Sequence, residues 1–276
     1  MLSKTISYLL QFCLISLPFW LPAFHIHEDN STLLTAVSLL FAILVGFFIA
    51  TATSNYLRLQ TLIADANAGL VSLYNLVRNI EPSKEPQIGD AIDNYMIAAL
   101  DYELLDYTEK TKGELNEVMK IVHAVEPSGE KGFSLISEVH SRMDDFIRTD
   151  QEITMTAKQI VTPRHWLIII CLAAILAVSL LSFRDGNLIT ATLVAIMLVS
   201  IYQILILIHE IDSNFFLSKQ LAFKDPQQVF EGINRGRYYP EYAIKNGDAK
   251  PELGPYRIGV YKNYPASMEK EIRLVK

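Results

Sequence analysis

Four stretches of this chain, each about twenty residues long, contain no Asp, Glu, Lys or Arg: Ile6 to Phe24, Leu33 to Ala52, Trp166 to Phe183 and Leu188 to Ile208. That clumping constrains the fold more than any other feature. Spanning the hydrocarbon core of a bilayer as a helix takes about 20 mainly apolar residues, because every backbone N–H and C=O must be paired inside the segment. Just over half of the residues are hydrophobic, 51%, and they come in runs rather than at the spacing of a soluble amphipathic core. The first run carries Leu17-Pro18-Phe19-Trp20 in place of a small-residue cleavage site, so it reads as a retained span and not a signal peptide. The expected fold class is all-α: four transmembrane helices in two hairpins, with a cytoplasmic helical bundle formed partly by extensions of the spans.

Lys and Arg near span ends set the orientation. The connector from His25 to Thr32 has neither, and the one around Asp185 has only Arg184, whereas Lys4, Arg58, Lys158, Arg164 and Lys219 flank the other ends. Those other ends, with both termini, are expected in the cytoplasm. The resulting organisation is a first hairpin over 1–55, a cytoplasmic helical domain over 56–164, a second hairpin over 165–210 and a cytoplasmic tail over 211–276. Trp20, Trp166 and Tyr202 fall near span ends, as suits aromatic rings at headgroup depth. Cys13 and Cys171 lie inside spans and read as packing residues.

The second span does not stop at the membrane surface. From Thr51 to Ile80, Leu59, Leu62, Ile63, Ala66, Leu70, Leu73, Leu76 and Val77 recur at three and four, the period of a continuing helix, which Pro82 and Pro86 end. Further amphipathic helices are predicted over Ile88 to Tyr107, over Lys112 to Val125, and from a Ser128 cap towards Pro163. His209 to Leu221 is predicted to continue the fourth span. From Arg235 the Tyr, Pro and Gly content rises, and loops with at most short strands are expected. This tail is mildly basic and would either rest on anionic headgroups or stay solvated.

Several of these residues resemble the bestrophin-like domain family of bacterial four-span membrane proteins. The likeness rests on Asp65-Ala66-Asn67, on Tyr95 followed by Glu103, on Pro163 with Trp166, and on Glu210-Ile211-Asp212 leading to Asp225-Pro226. It covers roughly Leu33 to Gly232. It departs at Leu104, where the family often has Trp, and at Asn214 to Leu217, in place of Pro-Phe-x-Gly. The resemblance implies an oligomeric ion channel of the bacterial inner membrane, a pentamer whose second span lines the pore.

Candidate sites follow from residue type and spacing. Thr35, Ser38, Ala42, Gly46, Ile49 and Thr53 form a small and hydroxylated stripe through the second span, which serves either close helix packing or a pore wall, with Ile49 or Val45 as an apolar constriction. Asp65, Asn67, Tyr95 and Glu103 could converge in the cytoplasmic bundle as a polar clamp or a ligand pocket. Arg164, His209, Glu210 and Asp212 gather at a membrane boundary, where ion pairing with Arg164 or Arg58 is the plainer use and a hard cation the bolder one. His25-Ile26-His27-Glu28-Asp29 offers metal-capable groups, but alternate positions of a short loop rarely make a complete shell, and no metal or cofactor is expected. No phosphate loop, nucleophile elbow or paired-cysteine spacing occurs, which disfavours an enzyme. The net charge of −6, concentrated between Tyr56 and Arg164, disfavours nucleic acid. Expected partners are the lipid bilayer, further copies of the chain, small ions and a gating ligand of unknown identity. The alternative is a pore-less membrane sensor or scaffold that binds a protein or small ligand.

Overall fold

The computed structural model describes residues 4–22, 30–102, 107–127, 129–157, 162–182, 186–212 and 222–276. Helices dominate: α1 (Lys4–Trp20), α2 (Asn30–Ile80), α3 (Glu85–Ala99), α4 (Tyr107–Lys110), α5 (Lys112–His123), α6 (Gly129–Thr156), α7 (Pro163–Ser182), α8 (Leu188–Asp212), α9 (Ala222–Gly232) and α10 (Glu241–Lys245). Strands β1 (Arg237–Pro240), β2 (Tyr256–Tyr261) and β3 (Lys270–Val275) form a small sheet in the order β1-β2-β3, the first pair parallel and the second antiparallel. The chain divides into two compact units, 1–54 with 159–213 and 55–158 with 214–276.

Unit one holds the apolar helices. The helix containing Leu34–Ile80, with α7 and α8, is long and apolar enough to cross a membrane, whereas α1, at 17 residues, sits at the short end of the spanning range. Three of the four expected spans are therefore met in length and composition among the described residues, and α1 is a shorter apolar helix. Pro163 opens α7, at the position where a missing N–H costs nothing. Asn187 starts α8 by accepting the N–H of Ile189 on Oδ1 at 3.3 Å, a cap that satisfies an orphan donor. Val37, Phe41, Val45 and Phe48 of α2 pack with Ile169, Ala173 and Leu176 of α7 and with Val194, Leu198 and Ile208 of α8. Helix α1 lies along α8, where the hydroxyls of Ser7 and Tyr202 meet at 3.1 Å.

Unit two is a helical bundle with the sheet attached. The spacing of three and four beyond Thr51 becomes one buried face: Leu59, Leu70, Leu73 and Val77 are at most 1% exposed. They join Ile88, Ile92 and Tyr95 of α3, Val118 and Val122 of α5, and Val139, Phe146 and Ile153 of α6 in one core. Each such side chain contributes about 1.5–3 kcal/mol, which stabilises helices that would be marginal alone. The helix over Lys112 onward matches its prediction, and α6 begins beside Ser128, which lies outside the described residues.

One expectation changes. The helix predicted from Ile88 to Tyr107 ends at Ala99, because the carbonyl of Leu100 accepts the Tyr242 hydroxyl at 3.0 Å and Asp101 is taken by Tyr261 and Lys270. The continuation predicted over His209 to Leu221 is helix as far as Asp212, and the rest lies outside the described residues. The tail from Arg235, expected as loops with at most short strands, holds the short strands β1 to β3, and it packs: Tyr238, Tyr239 and Ala243, with Phe230 and Ile233 just before it, join the core of unit two, all at most 3% exposed. At Gly259 a Cβ would run into the Tyr238 ring, so the close approach of β1 and β2 requires glycine there.

Candidate functional site

Within unit one, α2 presents three sectors of different chemistry. Val37, Phe41, Val45 and Phe48 are buried in the unit's own packing. Leu39, Leu40, Ile43 and Phe47 form a sector of large apolar side chains, each more than half exposed. The third sector is the predicted stripe: Thr35, Ala42 and Gly46 are exposed, and Ser38, Ile49 and Thr53 are half-buried. Val45, named with the stripe, is 7% exposed and belongs to the packed sector instead, one residue off the stripe's centre line. A Cβ built on Gly46 would meet nothing within 4 Å, so this glycine does not serve close approach of a helix from its own chain. The hydroxyls are satisfied locally: Ser38 donates to the Thr35 carbonyl at 3.0 Å and Thr51 to the Phe47 carbonyl at 2.8 Å, the usual resort of Ser and Thr in apolar surroundings.

The boundary residues of unit one are partly assembled. Trp166 and His209 stack edge to face with centroids 5.9 Å apart, and His165 lies 5.2 Å from the Phe48 ring. Asp212 is buried and Glu210 half-buried, while Arg164 is exposed. Arg58, considered as their partner, instead pairs with Glu152 at 3.2 Å.

In unit two, Tyr95 is buried and its hydroxyl donates to Asp150 at 3.0 Å. Asp150, on α6, is 2% exposed and carried no signal in the sequence. Asp65 is exposed on α2. Asn67 has its amide nitrogen buried with no hydrogen-bond partner among the described residues. Glu103 lies outside the described residues, as does the His25 to Asp29 loop.

The densest polar grouping is one that spacing could not reveal. Three carboxylates on α3 and just beyond it hold the C-terminal segment. Asp90 pairs with Arg235. Asp93 receives a two-pronged contact from Arg257, at 2.7 and 2.6 Å, and the same guanidinium donates to the Gly236 carbonyl and stacks 5.3 Å over Phe230. Asp101, 6% exposed, accepts from Lys270 and Tyr261. Burial pushes the Asp101 carboxyl above its ordinary range, with Lys270 opposing, and burial likewise raises the hydroxyls of Tyr238, Tyr242 and Tyr261. Asp90 and Asp93 sit at i and i+3 on one helix, a weak hint at best, since their partners lie more than a hundred residues away.

Beside this clamp, Phe223, Gln228, Tyr239 and Lys250 border an open cleft of about 480 Å³. Its best cation, Arg237, is already held by Glu231 at 2.6 Å and Glu252 at 2.9 Å. Among the described residues no group of three or more His, Cys, Asp and Glu could hold a metal ion.

Comparison with known proteins fixes the lineage. No curated protein sequence matches the chain. Among solved structures, a bacterial bestrophin homologue from Klebsiella pneumoniae superposes with a TM-score of 0.60 at 10% identity, covering 84% of this chain and 99% of that one. A single-residue variant of that homologue gives 0.58 at 14% identity over 83% and 96% of the two chains. At such identity the likeness shows the fold. The sequence itself matches the bestrophin-like domain over residues 23–216, and the chain belongs to the bestrophin-like family.

Proposed function

We propose that the protein is an oligomeric ion channel of the bacterial inner membrane, in which copies of α2 ring a central axis and turn their small, hydroxylated faces towards it. The observation that carries this reading is the division of α2 into two exposed sectors. Leu39, Leu40, Ile43 and Phe47 suit lipid, whereas Thr35, Ser38, Ala42, Gly46 and Thr53 suit water or a neighbouring copy, because lipid contact gives small and hydroxylated residues no advantage. A closed ring needs heterologous contacts, and five copies is the number the family resemblance implies. Ile49 is the bulky apolar residue on the stripe and forms the constriction, where an apolar ring disfavours water. Val45, packed inside the unit, does not compete for that role.

In this reading the chain crosses the membrane four times, with both termini and 56–164 in the cytoplasm. α2 is unbroken for 51 residues, which supports gating through its cytoplasmic half. The channel reading assigns no catalysis and no nucleic-acid partner.

The test is flux. Purified protein in liposomes passes small ions, Ile49→Ser passes more because a polar side chain wets the constriction, and Leu39→Ser changes little. Absence of flux from the wild type and from every variant between Ser38 and Thr53, with folding shown separately, would replace the channel by a pore-less sensor.

A further inference from the structure

The two edges of the C-terminal sheet are treated differently. On β1, the buried side-chain amide of Gln227 accepts the N–H of Tyr238 at 3.0 Å and donates to its carbonyl at 3.0 Å. Gln227 thus occupies the place of a neighbouring strand and seals that edge. β3 has no such seal among the described residues. Lys262 N–H donates to the Glu269 carbonyl at 3.1 Å, and the alternation of an antiparallel ladder counted from that pair turns Glu271, Arg273 and Val275 towards β2. The backbone N–H and C=O of Lys270, Ile272 and Leu274 therefore point outward. Ile272 is 45% and Leu274 63% exposed. An edge whose backbone groups stand open is a template for another strand.

The residues along it say which strand. If two β3 strands meet antiparallel about a two-fold axis through Ile272, the outward-pointing Ile272 of each exchanges both backbone bonds with its mate, and Lys270 does the same with Leu274. Glu271 then stands directly opposite Arg273, and Arg273 opposite Glu271, in the close pairing whose Cα atoms lie about 4.5 Å apart. Opposite charges in that position stabilise a sheet, and like charges destabilise it. Within one chain Glu271 and Arg273 turn to each other at 2.7 Å, and both remain at least 60% exposed. The register that satisfies the backbone is the one that pairs the charges.

We propose that β3 is a self-recognition edge: a second copy of this chain docks there in antiparallel register centred on Ile272, joining two three-stranded sheets into one. This contact is isologous and independent of the ring contacts of the channel reading, so it links chains of different rings.

Disulfide trapping in isolated native membranes, with copper phenanthroline added as the oxidant, tests it, using full-length chains with Cys13→Ser and Cys171→Ser. One differently tagged copy carries Glu271→Cys and the other Arg273→Cys. The proposed register places these two cysteines opposite, within bridging range, whereas two Glu271→Cys chains are offset diagonally by about 7–8 Å and beyond it. The expected result is a mixed disulfide on co-expression, with neither variant cross-linking when expressed alone. Ile272→Pro removes an outward N–H that β2 does not use and should lower the mixed product to background while the melting transition is kept. Absence of the mixed product, equal cross-linking of Glu271→Cys alone, or capture of a foreign protein in place of the second copy would each overturn the proposal.

Discussion

Removing the Asp93 carboxylate should loosen the whole C-terminal segment. Asp93 and Arg257 are 11% and 18% exposed at their side chains, and Arg257 spends two of its donors on the carboxylate at 2.7 and 2.6 Å. Breaking a buried pair by deleting one partner costs about 3–5 kcal/mol, because the other charge stays behind without compensation. Here the Gly236 carbonyl still accepts from Arg257 at 2.9 and 2.7 Å and the guanidinium keeps some solvent, so the lower end, about 3 kcal/mol, is expected for Asp93→Ala. At about 1.4 kcal/mol per factor of ten, opening of the segment becomes roughly a hundredfold more frequent. Hydrogen exchange read by mass spectrometry should show this as faster exchange in peptides covering β2 and β3, with unit one unchanged. Asp93→Leu combined with Arg257→Met keeps the volume and removes both charges, and should restore most of the protection. Unchanged exchange in Asp93→Ala, or a double variant worse than the single, would refute the clamp.

Other outcomes are equally direct. Tyr95→Phe removes a hydrogen bond to the buried carboxylate of Asp150 and should cost about 1.5–3 kcal/mol, read as a lower melting temperature in detergent. Asp65→Ala, on the exposed face of α2, should stay within about 0.5 kcal/mol of wild type. The Asp101 carboxyl is raised by burial and lowered by Lys270, so its contribution to stability is fullest below the ordinary carboxylate range and falls as pH rises through the raised value; in Lys270→Met it rises further, and the variant's deficit should shrink on acidification from neutral pH, as denaturant titration at several pH values would show. Cysteines placed at Asn30 and Asn187 should react with an impermeant maleimide in intact cells, whereas one at Gly89 should not, and the reverse pattern would invert the topology.

What the sequence disclosed and what it withheld divide along physical lines. The apolar runs, the continuation of α2 to Ile80 and the helix from Lys112 are local patterns, since a helix repeats its burial every three or four residues. Pro82 and Pro86 marked the break before α3 because proline acts on its own neighbourhood. The premature end of α3 was illegible: Leu100 and Asp101 leave the helix for Tyr242, Tyr261 and Lys270, residues far along the chain. The same holds for Asp150, which looks like any acid of a solvated face until Tyr95 is placed beside it. Tyr-, Pro- and Gly-rich composition marked the tail as irregular, and it is, yet Phe230 and Tyr238 are fully buried, since composition reports flexibility and not which surface will receive an aromatic ring. The stripe on α2 was visible by spacing, but its separation from Val45 needed the packing of α7 and α8.

The seal at β1 decides how far strand-to-strand coupling can run. A subunit with two open sheet edges is a bifunctional monomer, and each addition regenerates a reactive end, so growth has no natural stop. With Gln227 covering Tyr238, each chain is monofunctional: one coupling at β3 consumes it, and the product is capped on both flanks. A single buried amide thereby limits each joined sheet to two chains. Exchange of Gln227 for an apolar residue would bare the N–H and carbonyl of Tyr238 and turn a chain stopper into a propagating unit.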